Sequence, residues 1–163
     1  MNEIPPPGIP LDLYSSPLNA VRFLRQAGHP DDLARMAERM DAFAEIEPYA
    51  ARLGGHFRTA ADLARLLEGH ARTALETLST WHMEYDFDQG TARLPGGKRT
   101  LEPSMIVAAL AELYPERKLP RFDRETYEAV RGKLAEIFGP EGAGEITDGQ
   151  IRGAIQRRYK SNR

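Results

Sequence analysis

Most apolar positions of the chain recur with the period of an α-helix. Ser16 is placed to cap a first helix over 17–27, which Gly28 ends. Asp31 and Asp32 open a second helix, since their charges suit the positive end of its dipole. Its apolar stripe consists of Leu33, Met36, Ala37, Met40 and Phe43. The two methionines could form an adaptable groove for a partner, but a stripe of this spacing is usually core, and we expect core.

The next segment, over 59–101, combines two helical patterns with a change of period. Thr59 is the expected N-cap of the first helix, and a turn at 68–70 separates it from the second. Their inward positions are Leu63, Leu66 and Leu67, followed by Leu75 and Leu78. From 81 to 88 apolar and polar residues alternate, which predicts a half-buried strand. A glycine turn at 95–97 and a basic second strand complete a β-hairpin.

The remainder of the chain predicts three further helices. One begins at Pro103, and a longer one is capped by Asp123 and ended by Gly139. Thr147 and Gln150 form a capping box for the last. The residues expected to be largely buried are Trp81, Phe87, Leu110, Tyr127, Leu134 and Phe138. The fold class is therefore mainly α, with six to seven helices in a compact, bundle-like domain and one β-hairpin.

Composition adds detail at the two ends of the chain. Residues 1–15 hold four of the twelve prolines and predict an extended proline-rich arm, too apolar for a solvated tail. Residues 16–163 form one mostly helical domain, in which 16–101 carries the hairpin and 102–163 the basic C-terminus. The formal net charge is −2, yet residues 149–163 contain five basic residues and no acidic one. Positive charge is thus concentrated at the C-terminus.

Several function classes lose support from composition. The chain has no cysteine, which excludes disulfides and thiolate metal sites. No apolar run approaches the roughly twenty residues of a membrane span, so we expect no membrane role. The first residues, Met-Asn-Glu-Ile-Pro, differ from a basic and apolar leader, and the expected compartment is the cytoplasm.

Catalytic chemistry has no convincing pattern in this sequence. The four histidines show no i, i+4 pair of the kind that binds a metal on one helical face. The stretch 95–100 resembles a phosphate-binding loop but lacks its first glycine. Glu84, Asp86 and Asp88 share one strand face and could collect a divalent cation, although a solvated face is the simpler interpretation. We therefore expect a non-enzyme with no catalytic, cofactor-binding or metal-binding residues.

Helix, turn, helix and then a two-stranded ribbon is the order of a winged helix-turn-helix, which the segment 59–101 resembles. In that fold the second helix enters the major groove and the ribbon tip contacts phosphate. The candidate contact residues are Arg72 on the helix, Arg93, Lys98 and Arg99 on the hairpin, and Arg152, Arg157, Arg158 and Lys160 in the last helix. We expect a nucleic-acid-binding accessory or regulatory protein, with DNA favoured over RNA.

A small helical adaptor, inhibitor or assembly subunit is the alternative. An acidic-bodied helical protein without catalytic residues also suits this class, and the apolar N-terminal arm would then contact a protein partner. Salt separates the two hypotheses, because phosphate binding weakens steeply with ionic strength and an apolar contact hardly changes.

Overall fold

The computed structural model describes residues 16–93, 103–116 and 120–160. Within these residues the fold consists of α1 (Pro17–Ala27), α2 (Pro30–Ala44), α3 (Tyr49–Thr80), β1 (Glu84–Asp86), β2 (Thr91–Arg93), α4 (Pro103–Leu113), α5 (Arg124–Gly144) and α6 (Asp148–Lys160). The predicted fold class, mainly α with one β-hairpin, is confirmed. The N-terminal arm over 1–15 and the predicted turn at 95–97 lie outside the described residues.

Helix ends agree with the capping signals of the sequence. The Ser16 hydroxyl accepts the backbone N–H of Asn19 at 3.3 Å, at the start of α1. The backbone N–H of Thr147 donates to the Gln150 side chain at 2.9 Å, and the N–H of Gln150 donates back to the Thr147 hydroxyl at 3.3 Å. At the start of α5, the carboxylate of Asp123 accepts the backbone N–H of Thr126 at 2.9 Å. These bonds satisfy N–H groups that the first turn of a helix leaves without partners, so helix starts are well encoded locally.

The predicted helix-turn-helix is wrong. Residues 49–80 form one continuous helix of 32 residues, α3, with no turn at 68–70. Thr59 is no N-cap, because its hydroxyl donates to the carbonyl of Gly55 at 2.9 Å in mid-helix. Thr73 makes the same contact with the carbonyl of Gly69, at 3.1 Å. A glycine inside a helix costs only about 1 kcal/mol, which packing along the rest of α3 can outweigh.

The β-hairpin is present but shorter and tighter than predicted. Its turn lies between β1 and β2, where one carboxylate oxygen of Asp86 accepts two backbone N–H groups at 3.0 and 3.1 Å. Gly90 completes the turn with φ +66°, a conformation that glycine adopts without strain. Trp81 belongs to the turn that ends α3, so the strand does not extend over 81–88. The turn chemistry of Asp86 is the signal that the alternating pattern concealed.

The main core joins all six described helices and the hairpin. The large side chains that it buries completely include Leu24, Leu78, Ile106, Leu110, Leu134, Ile151 and Ile155. Burial of Leu110 and Leu134 is thus confirmed. Four other residues expected inside are only half-buried at the edge of this core, namely Trp81, Phe87, Tyr127 and Phe138. Each of these four is aromatic, and the core is filled instead by leucine and isoleucine.

Helix α5 changes direction at Gly139. This residue has φ +73° and ψ 168°, a combination that is accessible essentially only to glycine. The predicted stop at Gly139 is therefore a kink, after which helical structure resumes as far as Gly144. The kink lies against β2, because a Cβ at Gly139 would be 3.6 Å from the methyl group of Thr91.

A second, smaller packing unit is the αα-hairpin, which we define as α2 together with residues 49–72 of α3. The two helices are antiparallel, since Asp31 pairs with Arg72 at one end and Glu45 with Arg58 at the other. Beyond the part that joins the main core, the buried side chains of its seam are small, namely Ala37, Ala44, Ala61 and Ala64. A Cβ at Gly54 would lie 3.2 Å from the carbonyl oxygen of Ala44, so the helices approach closely. The rest of the described chain is called the body.

Candidate functional site

Arg72, the residue expected to read DNA bases, forms ion pairs with two carboxylates at the surface of the protein. Its Nη2 lies 2.9 Å from Glu68 Oε1 and 3.2 Å from Asp31 Oδ1. The Asp31 contact joins α3 to the start of α2. Because both partners are carboxylates and the surrounding α3 is an uninterrupted helix, Arg72 connects two helices here and does not project from a recognition helix.

The other predicted contact residues are distributed over separate elements. Arg93 lies on β2, with its side chain 69% exposed and Nη1 3.9 Å from Asp86 Oδ2. Lys98 and Arg99 lie outside the described residues. The guanidinium of Arg152 stands 5.6 Å from the ring centroid of Phe122, a cation–π contact on α6. Of the predicted set, only the cations at the end of α6 are neighbours on one described element.

At the end of α6, Arg157 and Lys160 line a shallow depression together with two uncharged residues of the same helix. Both side chains are exposed, and neither forms an ion pair with a residue that the structure describes. Arg158 differs, because its Nη1 donates to the carbonyl of Val107 at 3.4 Å and ties α6 to α4. Arg157 and Lys160 therefore remain able to meet a phosphate.

The αα-hairpin carries an apolar surface, part of which was expected to be core. Six of the seven large hydrophobic residues that the described chain exposes belong to this hairpin or to the loop at its tip. They are Met36, Phe43, Ile46, Tyr49, Leu53 and Leu63, with exposed fractions between 42% and 55%. The expectation that Met36, Phe43 and Leu63 face a core is wrong. The helical period shows which side of α2 is apolar, but it cannot show whether a neighbour covers that side.

Helical spacing places these side chains on one face of the αα-hairpin. Tyr49, Leu53 and Leu63 follow one another at intervals of four and ten residues along α3, and Met36, Met40 and Phe43 at intervals of four and three residues along α2. At 100° per residue, both rows point to the same side of the seam. Phe43 and Phe57 contact each other across the seam with ring centroids 5.6 Å apart. We call this surface the apolar face.

The opposite side of the αα-hairpin is an ion-paired face. Arg58, Arg65 and Arg72 recur every seven residues along α3, nearly opposite the apolar row. Each pairs with an acid of α2 or of the loop at the tip, respectively Glu45, Asp41 and Asp31. Charge on this side is thus neutralised by partners within the hairpin, whereas the apolar face has no partner among the described residues.

The edges of the apolar face carry positive charge. Arg39 on α2 and Arg52 on α3 are exposed, and each lies about 65° around its helix from the apolar row, on the side away from the seam. Neither forms an ion pair with any residue in 16–93, 103–116 or 120–160. The apolar face is therefore bordered on each helix by one cation that pairs with no described residue.

The largest charge cluster of the body is fully paired. Arg22 Nη2 lies 2.7 Å from Glu136 Oε2 and 3.3 Å from Glu112 Oε2, and Lys133 Nζ lies 3.0 Å from Glu112 Oε2. Burial acts to raise the pKa of Glu136, but the hydrogen bond from Arg22 and the charges of Arg22 and Lys133 together lower it below its ordinary value. This cluster joins α1, α4 and α5 and serves the fold.

The three carboxylates considered as a cation site, Glu84, Asp86 and Asp88, are not grouped to hold an ion. Asp86 supports the turn of the β-hairpin, and among the described residues no three His, Asp or Glu side chains are grouped to hold a metal ion.

None of the described helices has the length and apolar character needed to cross a bilayer. No protein-family model, curated protein or solved structure matches this chain. The geometry of the described residues thus carries the functional argument.

Proposed function

We propose that this protein is a non-enzymatic adaptor or assembly subunit that binds another protein through the apolar face of its αα-hairpin. One observation carries the proposal: large exposed apolar side chains are concentrated on one side of this hairpin, while ion pairs cover its other side. Single exposed apolar residues are normal on any protein, but a contiguous patch marks an interaction site.

The seam of the αα-hairpin supports this proposal. Two helices that packed only against each other would gain most by turning their large side chains inward, since burial stabilises roughly in proportion to apolar area. Here alanines occupy the seam, while Met36 is 50% and Leu63 is 55% exposed. The large side chains are thus positioned for a third surface.

The size of the apolar face also suits a protein partner. Six side chains of about 200 Å² each, roughly half exposed, present on the order of 600 Å² of surface. A standard interface covers about 800 Å² on each partner, of which about 57% is apolar. The face therefore supplies about as much apolar area as one side of a stable interface.

Affinity capture from the native host, with nuclease-treated lysate, tests the proposal. Unmodified protein should retain a partner that the double variant Leu53→Ser/Leu63→Ser loses. Arg58→Ser is the matched control, because Arg58 lies on the ion-paired face of the same helix and is 62% exposed. A partner kept by both variants would place the interface elsewhere, and circular dichroism verifies that each variant is folded.

Nucleic-acid binding through the end of α6 is the second candidate function. Its supporting observation is the pair Arg157 and Lys160, exposed side by side without an ion pair to a described residue. Arg157→Ala/Lys160→Ala should weaken binding to duplex DNA or single-stranded RNA. It should also reduce the slope of log affinity against log salt concentration by up to about two, because two phosphate contacts are lost. Fluorescence anisotropy across a salt series measures this, with Arg124→Ala as a control, since Arg124 pairs with Glu128. Absence of binding at low salt removes this candidate.

A further inference from the structure

The apolar face has the form that accepts a helix. Two rows of large side chains run along α2 and α3, and smaller or half-buried residues lie between them, with Ala37, Ala61 and Ala64 buried in the seam. Met40, on the seam side of the α2 row, and Phe57 on α3 are half-buried beside the seam. An amphipathic helix can lay its apolar side along such a channel, with residues at i, i+3, i+4 and i+7 as anchors.

The charges at the edges identify what should flank that helix. The pairs Asp41–Arg65 and Glu45–Arg58 fix the register of the two helices, which puts Arg39 near the level of residue 66 and Arg52 at the tip. These levels differ by about 14 residues, or roughly 20 Å along the hairpin. Arg39 and Arg52, which pair with no residue of the described chain, therefore border opposite edges of the channel near its two ends.

We infer that the occupant is an amphipathic helix of another protein, with acidic residues on both sides of its apolar stripe. This inference rests on the proposed function, because it names the kind of partner that the apolar face receives. Acidic residues about four turns apart and on opposite flanks of the helix would meet Arg39 and Arg52 together. Complementary charges at a rim set orientation and exclude unsuitable partners more than they add affinity.

A second copy of this chain fits the edges less well. Six acids within or beside the αα-hairpin are already engaged by arginines, namely Asp31, Asp32, Asp41, Glu45, Asp62 and Glu68. Glu38 and Glu47 are the acids of α2 and its following loop that pair with no described residue, and Glu38 lies on the ion-paired side. A second copy that packed through the same face would thus offer few acidic partners to Arg39 and Arg52.

Two synthetic 18-residue peptides test the inference. Both carry the same leucine stripe at helical spacing, and one has glutamate and the other lysine at the flanking positions. We expect the glutamate peptide to bind at least tenfold more tightly at low salt by fluorescence anisotropy, with the difference shrinking as salt is added. The variant Arg39→Glu/Arg52→Glu should reverse this preference, and Arg39→Gln/Arg52→Gln should abolish it.

Two further measurements separate this inference from the proposed function. Leu53→Ser/Leu63→Ser should weaken binding of the glutamate peptide more than tenfold, while Arg58→Ser should not. Equal binding of the two peptides, or binding of neither, overturns the inference, and the proposed function then stands or falls with the capture experiment alone. Sedimentation that shows a dimer of the unmodified protein, dissolved by Leu53→Ser/Leu63→Ser, makes a second copy the occupant and also overturns the inference.

Discussion

The helices of the body turn their large apolar side chains toward the core, whereas those of the αα-hairpin expose theirs to solvent. In the body, Leu110 and Leu134 are at most 1% exposed. In the αα-hairpin, Ala61 is fully buried while Met36 and Leu63 are at least half exposed. Both regions have apolar stripes of helical period, so the difference lies in what each stripe contacts within the chain.

This contrast indicates how the two regions are stabilised. A fully buried leucine contributes about 1.5 to 3 kcal/mol, whereas an alanine methyl group contributes less than 1 kcal/mol. The body therefore derives its stability from its own core. The αα-hairpin depends more on close helix contact, as at Gly54, and leaves apolar area uncovered. A partner can bind to a surface of this kind without disturbing the packing inside the protein.

The largest effect is expected from emptying the body core. Leu134→Ala should lower the free energy of unfolding by about 2 to 5 kcal/mol, because Leu134 is 1% exposed and its removal leaves a cavity. Urea denaturation followed by circular dichroism measures the change. A loss below about 0.5 kcal/mol would show that this face of α5 is in solvent and would remove the contrast between the two regions.

An intermediate effect is expected from overfilling the seam. Ala61→Leu should destabilise the protein by about 1 to 3 kcal/mol, since Ala61 is 0% exposed between two close helices. Ala60→Leu is the matched control, because Ala60 is the preceding residue of the same helix and is exposed. The same denaturation assay compares them. Equal stabilities for the two variants would mean that the seam opens easily.

Local signals allowed most helix starts to be predicted from the sequence. Ser16, Asp123 and Thr147 cap helices because their side chains bond to backbone groups only a few residues away. A break at Gly139 was also predicted, as a helix end, because the backbone conformation of a glycine is a local property. Features that depend on neighbours in sequence could thus be predicted.

Features that depend on tertiary contacts could not be predicted from the sequence. Glycine and threonine at 54–73 suggested helix ends, yet packing along α3 overrides these weak propensities. Cations such as Arg72 suggested a nucleic-acid surface, but a distant acid, Asp31, engages this residue. The apolar face was hidden for the same reason, because Met36 has the spacing of a core residue and no pattern shows what covers it. The candidate site therefore required the structure.

A smaller, pH-dependent effect is expected from the paired charges of the body. The folded pKa of Glu136 is lowered, so its charge contributes stability above its unfolded pKa and loses it as the pH falls through the folded pKa. Screening keeps this contribution to about 1 kcal/mol or less. Glu136→Gln should therefore be less stable than the unmodified protein at pH 7, with the gap closing in acid below about pH 4.

Thermal denaturation at several pH values tests this prediction. Glu38→Gln is the control, because Glu38 is exposed on the αα-hairpin and forms no ion pair with a described residue. It should show little change at either pH. A gap between Glu136→Gln and the unmodified protein that persists undiminished in acid would show that the side chain acts through packing and not through its charge.

The smallest stability effect is expected on the apolar face, and it sharpens the contrast most. Leu63→Ser should change the free energy of unfolding by about 0.5 kcal/mol or less, because Leu63 is 55% exposed and mainly a small difference in helix propensity remains. Leu67→Ser, one turn further along α3, should cost clearly more, since Leu67 packs against the body core. Denaturation in urea compares the pair. If Leu63→Ser instead cost about 2 kcal/mol, Leu63 would be a folding residue. If Leu63→Ser left the free energy of unfolding nearly unchanged but abolished partner capture, Leu63 would contribute to binding and not to folding.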